Sequence, residues 1–316
     1  MIPVSVVTGF LGSGKTTLIS RVLRDPVYAR TAVVVNEFGE IGLDHDLIAN
    51  SNDSVLTLST GCLCCTVQTD LARTLMALFD RRDTYDRVIV ETSGLADPSP
   101  MLQVMMTDRD VLATHQIPAV VTLVDTVHGD LALAQHAEAR NQVALADVLL
   151  ISKTDLAEPA DRLLQMLDDL NPAAPRRRTT EADPSIFFGS SSPQALSRRL
   201  MATERRRSHG QIETFTITRD KPLPALALTL LLQAIAEHCG PRLLRLKGLV
   251  AIQEMPGQPA VIHGVRHVVS PPDFLHRWPS ADETTRIAFI TRNVPRHFVS
   301  RLLDAIEEEV RDAMAA

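Results

Sequence analysis

Aromatic residues are scarce in this sequence, which has one Trp and two Tyr among 316 residues and an aromatic fraction of 4 %. The hydrophobic fraction is nevertheless 45 %, a composition typical of an α/β core built from Ala, Val and Leu. Global disorder is therefore not expected. Because the chain is longer than one ordinary compact unit, we expect two domains of unequal size.

The sequence also lacks a long apolar run and an excess of positive charge. Its longest apolar stretch, residues 223–236, is too short and too interrupted for a membrane span and is typical of a buried helix. No basic start or small-residue cleavage site precedes the first apolar strand, so we expect a cytoplasmic protein. The formal net charge of -6 argues against nucleic acid and against a membrane surface as partners.

Short apolar runs rich in Val, Ile and Leu alternate with amphipathic stretches of helical length through the first half of the chain. This alternation predicts a doubly wound, mainly parallel sheet, with functional loops at the carboxyl ends of its strands. Beyond residue 171 prolines and serines become frequent, and then strand and helix patterns resume. We therefore expect an α/β domain over residues 1–200, a linker over 201–212 and a smaller α+β C-terminal domain over 213–316. The predicted strands of the first domain are residues 4–8, 32–36, 55–58, 87–91, 119–124 and 148–152.

The segment GFLGSGKTT matches the phosphate-binding pattern GxxxxGK[ST] between a predicted strand and a predicted helix. Its glycines allow backbone N–H groups to point inward and form, with the helix N-terminus, a cradle for phosphate oxygens. Lys15 adds positive charge at the outer phosphates, and the hydroxyl of Thr16 is a ligand for magnesium. The predicted nucleotide-binding residues here are Gly9, Gly12, Ser13, Gly14, Lys15, Thr16 and Thr17.

A second motif, SKTD at residues 152–155, follows the sixth predicted strand and resembles the guanine-reading NKxD element with Ser in place of Asn. The Asp155 carboxylate can accept hydrogen bonds from N1–H and from the exocyclic amine of guanine, a pair that adenine does not offer. Lys153 is expected to lie along the base. The motif therefore favours GTP over ATP as the nucleotide, and an ATP-using kinase or ATPase stays as an alternative.

Two acidic segments follow other strands. Glu91 begins the segment ETSG at the end of the fourth strand, where a carboxylate supports magnesium, and Gly94 allows close backbone approach. The segment NEFGE after the second strand carries Glu37 and Glu40 and is predicted to be a switch loop that senses the third phosphate. We count Lys15, Glu91 and Glu40 as the catalytic candidates. No residue is assigned to the attacking water, for which Glu40 and Asp97 are both candidates.

Cysteine is also scarce, and three of the four cysteines lie together at Cys62, Cys64 and Cys65. In a reducing compartment such crowding favours metal binding or redox chemistry over a disulfide framework. Two or three thiolates can converge here on one ion, for which zinc is preferred and Cu(I) stays open. Glu37, Glu40, a histidine or water can fill the fourth position. A buried cluster of small residues or a thiol–disulfide pair are the alternatives.

Together the motifs GFLGSGKTT, NEFGE, GCLCC, ETSG and SKTD, in this order, resemble the CobW family of P-loop GTPases. The segments RLLRLKG and IHGV resemble the family's C-terminal domain more loosely. The resemblance implies slow GTP hydrolysis to GDP and phosphate, with GTP, magnesium and zinc as cofactors. It also implies that Cys62, Cys64 and Cys65 hold a metal destined for a client metalloprotein.

The function predicted from the sequence is thus a GTP-hydrolysing metallochaperone that releases its metal under nucleotide control. A metal sensor or regulatory binding module with incidental GTP turnover is the alternative. A homo-oligomer that depends on nucleotide or metal also stays open. The linker carries a single histidine, His209, so high-capacity collection of metal is not expected.

Overall fold

The computed structural model of the chain describes residues 1–36, 55–57, 65–116, 119–183, 185–189, 193–202, 207–209 and 211–315. The chain divides into two compact units, Met1–Gln165 with Ala174–Ser191 and Met166–Ala173 with Ser192–Ala316. The helix Pro193–Ala202 is grouped with the second unit because Leu196 and Leu200 pack in a cluster with residues of its sheet. The sequence-based limits at residues 200 and 212 stay a prediction.

A parallel sheet forms the centre of the first unit. Its described strands are β1 (Val4–Gly9), β2 (Thr31–Asn36), β3 (Val55–Thr57), β4 (Arg87–Thr92), β5 (Ala119–Asp125), β6 (Val148–Ser152) and β7 (Arg176–Arg178). Their order is β3-β2-β4-β1-β5-β6-β7, and every neighbouring pair is parallel. Every residue of β1, β5 and β6 is buried, as expected of strands covered on both faces. The predicted doubly wound, mainly parallel sheet is confirmed.

Helices connect these strands. They are α1 (Lys15–Leu23), α2 (Cys65–Asp80), α3 (Ser99–Thr107), α4 (Arg109–Thr114), α5 (Gly129–Gln135), α6 (Ala137–Leu145), α7 (Asp161–Leu170) and α8 (Ile186–Gly189), with a short 3-10 helix at Pro26–Tyr28. Leu18 and Ile19 of α1 pack on Val7 and Leu123 of the sheet, together with Phe187 of α8. This packing fixes α1 directly behind the carboxyl end of β1.

The segment at residues 175–178 is more regular than its proline and arginines suggest. Arg176–Arg178 forms edge strand β7, which pairs with β6, and Arg178 makes two hydrogen bonds to the Glu158 carboxylate, at 3.0 and 2.6 Å. A charged edge strand resists pairing with another chain, so the arginines suit this position. The regularity went unpredicted because a run of three arginines carries no apolar alternation.

The second unit contains an antiparallel sheet and three described helices. Its strands are β8 (Arg207–His209), β9 (Ile212–Arg219), β10 (Leu243–Val250), β11 (Ala260–Val265), β12 (Val268–Val269), β13 (Asp273–Phe274) and β14 (Thr285–Arg292), and its helices are α9 (Pro193–Ala202), α10 (Ala225–Cys239) and α11 (Arg296–Ala315), with a 3-10 helix at Gly240–Arg242. The main order is β12-β11-β10-β14-β9-β8, with β13 on β11. The predicted smaller α+β domain is confirmed in architecture.

The core of this unit lies between the sheet and helices α10 and α11. Phe215 and Phe289 stack with centroids 5.3 Å apart, and Leu231, Ile235 and Leu303 of the helices pack in the same cluster. Strands β11 and β12 form a hairpin, in which Arg266 adopts a φ of 57° and turns the chain between them.

Candidate functional site

The phosphate loop connects β1 to α1, and its glycines have conformations that other residues rarely adopt. Gly9 has a φ of 148°, and a Cβ there would lie 2.5 Å from the carbonyl oxygen of Leu123. Gly12 and Gly14 also have positive φ, of 71° and 91°. Gly14 is the N-cap residue of α1 and has no side chain that could cap the helix. The first N–H groups of the helix therefore face the loop. An uncapped helix N-terminus behind a glycine loop is a site for phosphate.

Lys15 lies inside this loop and is almost fully buried. Its ammonium nitrogen donates to the carbonyl oxygen of Gly9 at 2.9 Å and lies 3.4 Å from that of Phe10. The loop backbone therefore holds a positive charge at the carboxyl end of β1. Ser13 is also buried, whereas Thr17 is exposed on the first turn of α1.

Thr16 and Glu91 meet where α1 begins and β4 ends. The Thr16 hydroxyl donates to Oε1 of Glu91 at 2.8 Å, and Glu91 is buried. A hydroxyl and a carboxylate are hard oxygen donors of the kind that magnesium prefers beside phosphate oxygens. These two residues therefore fit a magnesium ion, and their role as its ligands stays a prediction.

The loop after β4 packs directly on the phosphate loop. Thr92 donates its hydroxyl to the Thr8 hydroxyl oxygen at 2.8 Å in the buried interior. A Cβ on Gly94 would lie 2.8 Å from the backbone nitrogen of Leu11, so only glycine allows this approach. In the structure Gly94 therefore lies against the backbone of the phosphate loop.

Asp97, a candidate for orienting the attacking water, has another role in the structure. Its Oδ1 accepts from the backbone N–H of Ser99 at 2.9 Å and from the Ser99 hydroxyl at 2.5 Å. Its Oδ2 accepts from the side-chain amide of Asn141 at 3.2 Å. These contacts anchor the start of α3.

The SKTD segment lies beside the phosphate loop. The Ser152 hydroxyl donates to the carbonyl oxygen of Ser13 at 2.7 Å in a buried contact, so Ser152 ties the base-reading segment to the phosphate loop. Lys153 has a φ of 58°, and its ammonium lies 3.5 Å from Oδ2 of Asp125. Asp155 is exposed in the turn that follows. An exposed carboxylate next to the loop is accessible to a base.

Two supporting residues of this segment were not predicted. The Thr126 hydroxyl donates to the Lys153 carbonyl oxygen at 2.9 Å, and Oδ1 of Asp125 accepts from the N–H of Val127 at 2.9 Å and of His128 at 2.7 Å. Asp125 is the last residue of β5 and could have been found as a strand-end acid, as Glu91 was.

The predicted zinc ligands are a different case. Glu37, Glu40, Cys62 and Cys64 lie outside the described residues, and Cys65 is described only as the first backbone position of α2. Within the described ranges there is no group of three or more His, Cys, Asp or Glu residues that could hold a metal ion. The thiolate site therefore stays a prediction. In the same part of the chain, no helix has the length and apolar character needed to cross a membrane.

Sequence comparison agrees with this geometry. Residues 3–179 match the CobW/HypB/UreG nucleotide-binding domain, and residues 212–307 match the cobalamin synthesis protein CobW C-terminal domain. The chain belongs to the CobW family. Both parts of the family's architecture are thus present, and the predicted family is confirmed.

Curated members of the CobW family resemble the chain over different lengths. The zinc chaperone YjiA of Escherichia coli is 30 % identical over an alignment of 324 positions, which covers 99 % of this chain and 98 % of YjiA. A zinc-regulated GTPase metalloprotein activator of Schizosaccharomyces pombe is 33 % identical over 162 positions, covering 49 % of this chain and 39 % of the relative. The first similarity therefore extends over both units.

A solved structure extends the comparison to the fold. The crystal structure of the Zn(II)-bound YjiA GTPase from E. coli superposes with a TM-score of 0.72 at 25 % sequence identity, covering 96 % of this chain and 98 % of the other. The fold of this CobW-family chain is therefore that of a known metal-binding GTPase along nearly its whole length.

Proposed function

We propose that this CobW-family protein hydrolyses GTP and uses the nucleotide cycle to control zinc held by Cys62, Cys64 and Cys65. The observation that carries the proposal is the contact between Thr16 and Glu91, which brings a hydroxyl and a carboxylate together beside the phosphate loop. The full-length similarity to a zinc chaperone supports it.

The proposed binding and hydrolysis of GTP depend on positive charge beside the phosphates. The Lys15 ammonium and the helix N-terminus supply positive charge where the outer phosphates would lie. When bound between Thr16, Glu91 and phosphate oxygens, magnesium neutralises charge that develops during phosphoryl transfer. Glu91 would hold that ion in position through its carboxylate. Hydrolysis then yields GDP and phosphate.

Guanine selectivity is assigned to Asp155. The bond from Ser152 to the Ser13 carbonyl oxygen keeps this segment beside the phosphate loop, so a nucleotide held by its phosphates presents its base near Asp155. The carboxylate would accept from N1–H and from the amine of guanine. Lys153, whose ammonium forms an ion pair with the Asp125 carboxylate, would lie along the base.

The order of the strands supports the proposed coupling to the metal. In the sheet β2 lies between β3 and β4, and Asn36 pairs with Thr92, one residue after Glu91. The segment that carries Glu37 and Glu40 therefore begins beside the magnesium residues. The same segment leads into β3, after which come the cysteines and α2. Loss of the third phosphate would first change the conformation of this segment between β2 and β3.

A switch is useful because thiolates release zinc slowly. Structural zinc in cysteine-rich peptides is held by on the order of 10 kcal/mol, so unassisted transfer is slow. The recipient would be a client metalloprotein, in keeping with the name of the S. pombe relative. The reaction belongs in the cytoplasm, where reducing conditions keep thiols free. A metal sensor with incidental GTP turnover is the alternative.

A transfer assay tests the proposal. Purified zinc-loaded protein is mixed with a colorimetric zinc chelator in the presence of GTP, a non-hydrolysable GTP analogue or GDP, and release of zinc and phosphate is followed. We expect zinc release to depend on which nucleotide is bound and to be lost in Cys64→Ala. Cys239→Ala is the matched control, because Cys239 is buried in the second unit and burial raises the pKa of its thiol. Release at one rate under all conditions, with phosphate still formed, would favour the sensor.

A further inference from the structure

Two adjacent polar residues, Asn141 and Gln142, are buried on helix α6. Burial of an amide side chain is costly unless its hydrogen bonds are replaced. Neighbouring positions on a helix point about 100° apart, so two adjacent residues seldom serve one partner. Here both reach the loop that follows β4: Asn141 through Asp97, and Gln142 directly.

Gln142 holds this loop through its backbone. Its side-chain nitrogen donates to the carbonyl oxygen of Gly94 at 3.2 Å and to that of Ala96 at 3.0 Å. Both amide hydrogens are therefore used on one short segment. Gly94 is the residue whose backbone lies against Leu11 of the phosphate loop. The amide of Gln142 thus sets the position of the loop that joins Glu91 to α3.

Gln142 also lines a small cavity. Its Oε1 and the hydroxyl of Ser13 are both buried and have no hydrogen-bond partner among the described residues. Both side chains line one cavity of about 20 Å3, together with Thr122, Asp125 and apolar residues of β5, α5 and α6. A cavity of more than about 10–15 Å3 with polar partners is large enough for a water molecule.

We propose that Gln142 is a positioning residue of the GTPase reaction and that this cavity binds one water molecule joining Gln142 Oε1 to the Ser13 hydroxyl. The amide would then connect three parts of the site: the loop after β4, the phosphate loop and helix α6. Since a shift of about 1 Å in a positioned group can cost about 100-fold in rate, this connection affects turnover more than binding. The inference rests on the proposed hydrolysis of GTP.

The test compares variants under conditions where all are folded. Gln142→Met keeps the size of the side chain but removes both amide hydrogens and the acceptor. We expect kcat for GTP to fall by about 10-fold or more, with the dissociation rate of fluorescent GDP changed by less than about 2-fold. Leu145→Ala is the matched control, because it removes a buried side chain of the same helix that is apolar and cannot hydrogen-bond to the loop. It should lower the melting temperature without lowering kcat at 20 °C by more than about 2-fold.

The water is tested separately with Ser13→Ala and the double variant. If one water joins the two residues, Ser13→Ala lowers kcat modestly and adds little to Gln142→Met, because the bridge is already lost. Additive effects would overturn the bridge. A kcat unchanged in Gln142→Met, or lowered only in proportion to the melting temperature as in Leu145→Ala, would overturn the positioning role. An inactive wild-type protein would instead count against the proposed hydrolysis itself.

Discussion

Thr16 donates its hydroxyl hydrogen to Glu91 across 2.8 Å, although the two residues are 75 positions apart in the sequence. The contact forms because β1 and β4 are parallel neighbours, so that their carboxyl ends lie at one edge of the sheet. It places a hydroxyl and a carboxylate at one point beside the phosphate loop. The proposed magnesium site rests on this pair.

Replacing Glu91 by Gln should therefore slow hydrolysis far more than it weakens nucleotide binding. The variant keeps the shape but loses the negative charge that would hold magnesium, so we expect kcat to fall by about 100-fold or more. Phosphate release measured across a magnesium titration checks this. Asp83→Asn, which neutralises an exposed carboxylate in a turn, should behave as the wild type. A Glu91→Gln enzyme with normal kcat and normal magnesium dependence would contradict the role.

Replacing Asp155 by Asn should change which base is bound. The carboxylate would lose its two charge-assisted bonds to guanine, and we expect GTP affinity to fall by about 100-fold. The new amide can donate to the second carbonyl of xanthine, so XTP should gain affinity. Competition against a fluorescent guanine nucleotide measures both changes. The control is Asp161→Asn, an exposed carboxylate at the start of α7. If wild-type protein bound ATP as well as GTP, Asp155 would not read the base.

Replacing Ser152 by Ala should speed nucleotide release. The buried carbonyl oxygen of Ser13 would lose its donor, at a cost of about 1–3 kcal/mol, and the base-reading segment would no longer be tied to the phosphate loop. Stopped-flow release of fluorescent GDP should be about 10-fold faster. Ser152→Asn supplies an amide donor and should retain slow release. Equal rates in the wild type and Ser152→Ala would show that the bond does not matter for binding.

Most of the first unit could be predicted from its sequence because fully buried parallel strands are apolar runs that stand out between helical segments. The predicted strand at residues 148–152 coincides with β6, and the one at residues 4–8 is one residue shorter than β1. The phosphate loop was equally clear, since its glycines are required by backbone geometry. A motif set by local geometry is visible in local sequence.

The supporting contacts could not be predicted in the same way. Gln142 and Asn141 lie in a short helix where polar residues are usually taken as exposed, and only the tertiary structure brings them to residues 94–97. Ser152 looked like a tolerated departure from the usual Asn, and its bond to Ser13 spans 139 positions. Contacts between distant segments leave no periodic pattern to read.

Acid should weaken the first unit through His115. Burial, and secondarily the charge of the N-terminal amine, lowers the pKa of His115 from 6.5 to about 4. Below pH 6.5 His115 therefore binds a proton in the unfolded chain. In the folded chain it binds that proton only when the pH falls to about 4. Above pH 6.5 the protonation of His115 does not reduce the free energy of unfolding. As the pH falls toward 4 that free energy decreases, by about 2 kcal/mol at pH 5.

Hydrogen exchange in β5, corrected for intrinsic rates, measures this effect at pH 7 and pH 5. His115→Leu should show a smaller loss of protection between the two pH values than the wild type. Identical losses in both proteins would mean that His115 does not titrate as its burial requires.

The dependence of zinc affinity on nucleotide tests the central claim most directly. Zinc is titrated into the protein with GTP analogue, with GDP and without nucleotide, and the three titrations are repeated on Cys64→Ala. We predict affinities that differ by at least about 10-fold between the GTP analogue and GDP, and a strong loss of binding in Cys64→Ala under every condition. One zinc affinity for all three nucleotide states of the wild-type protein would contradict a nucleotide-controlled metal site.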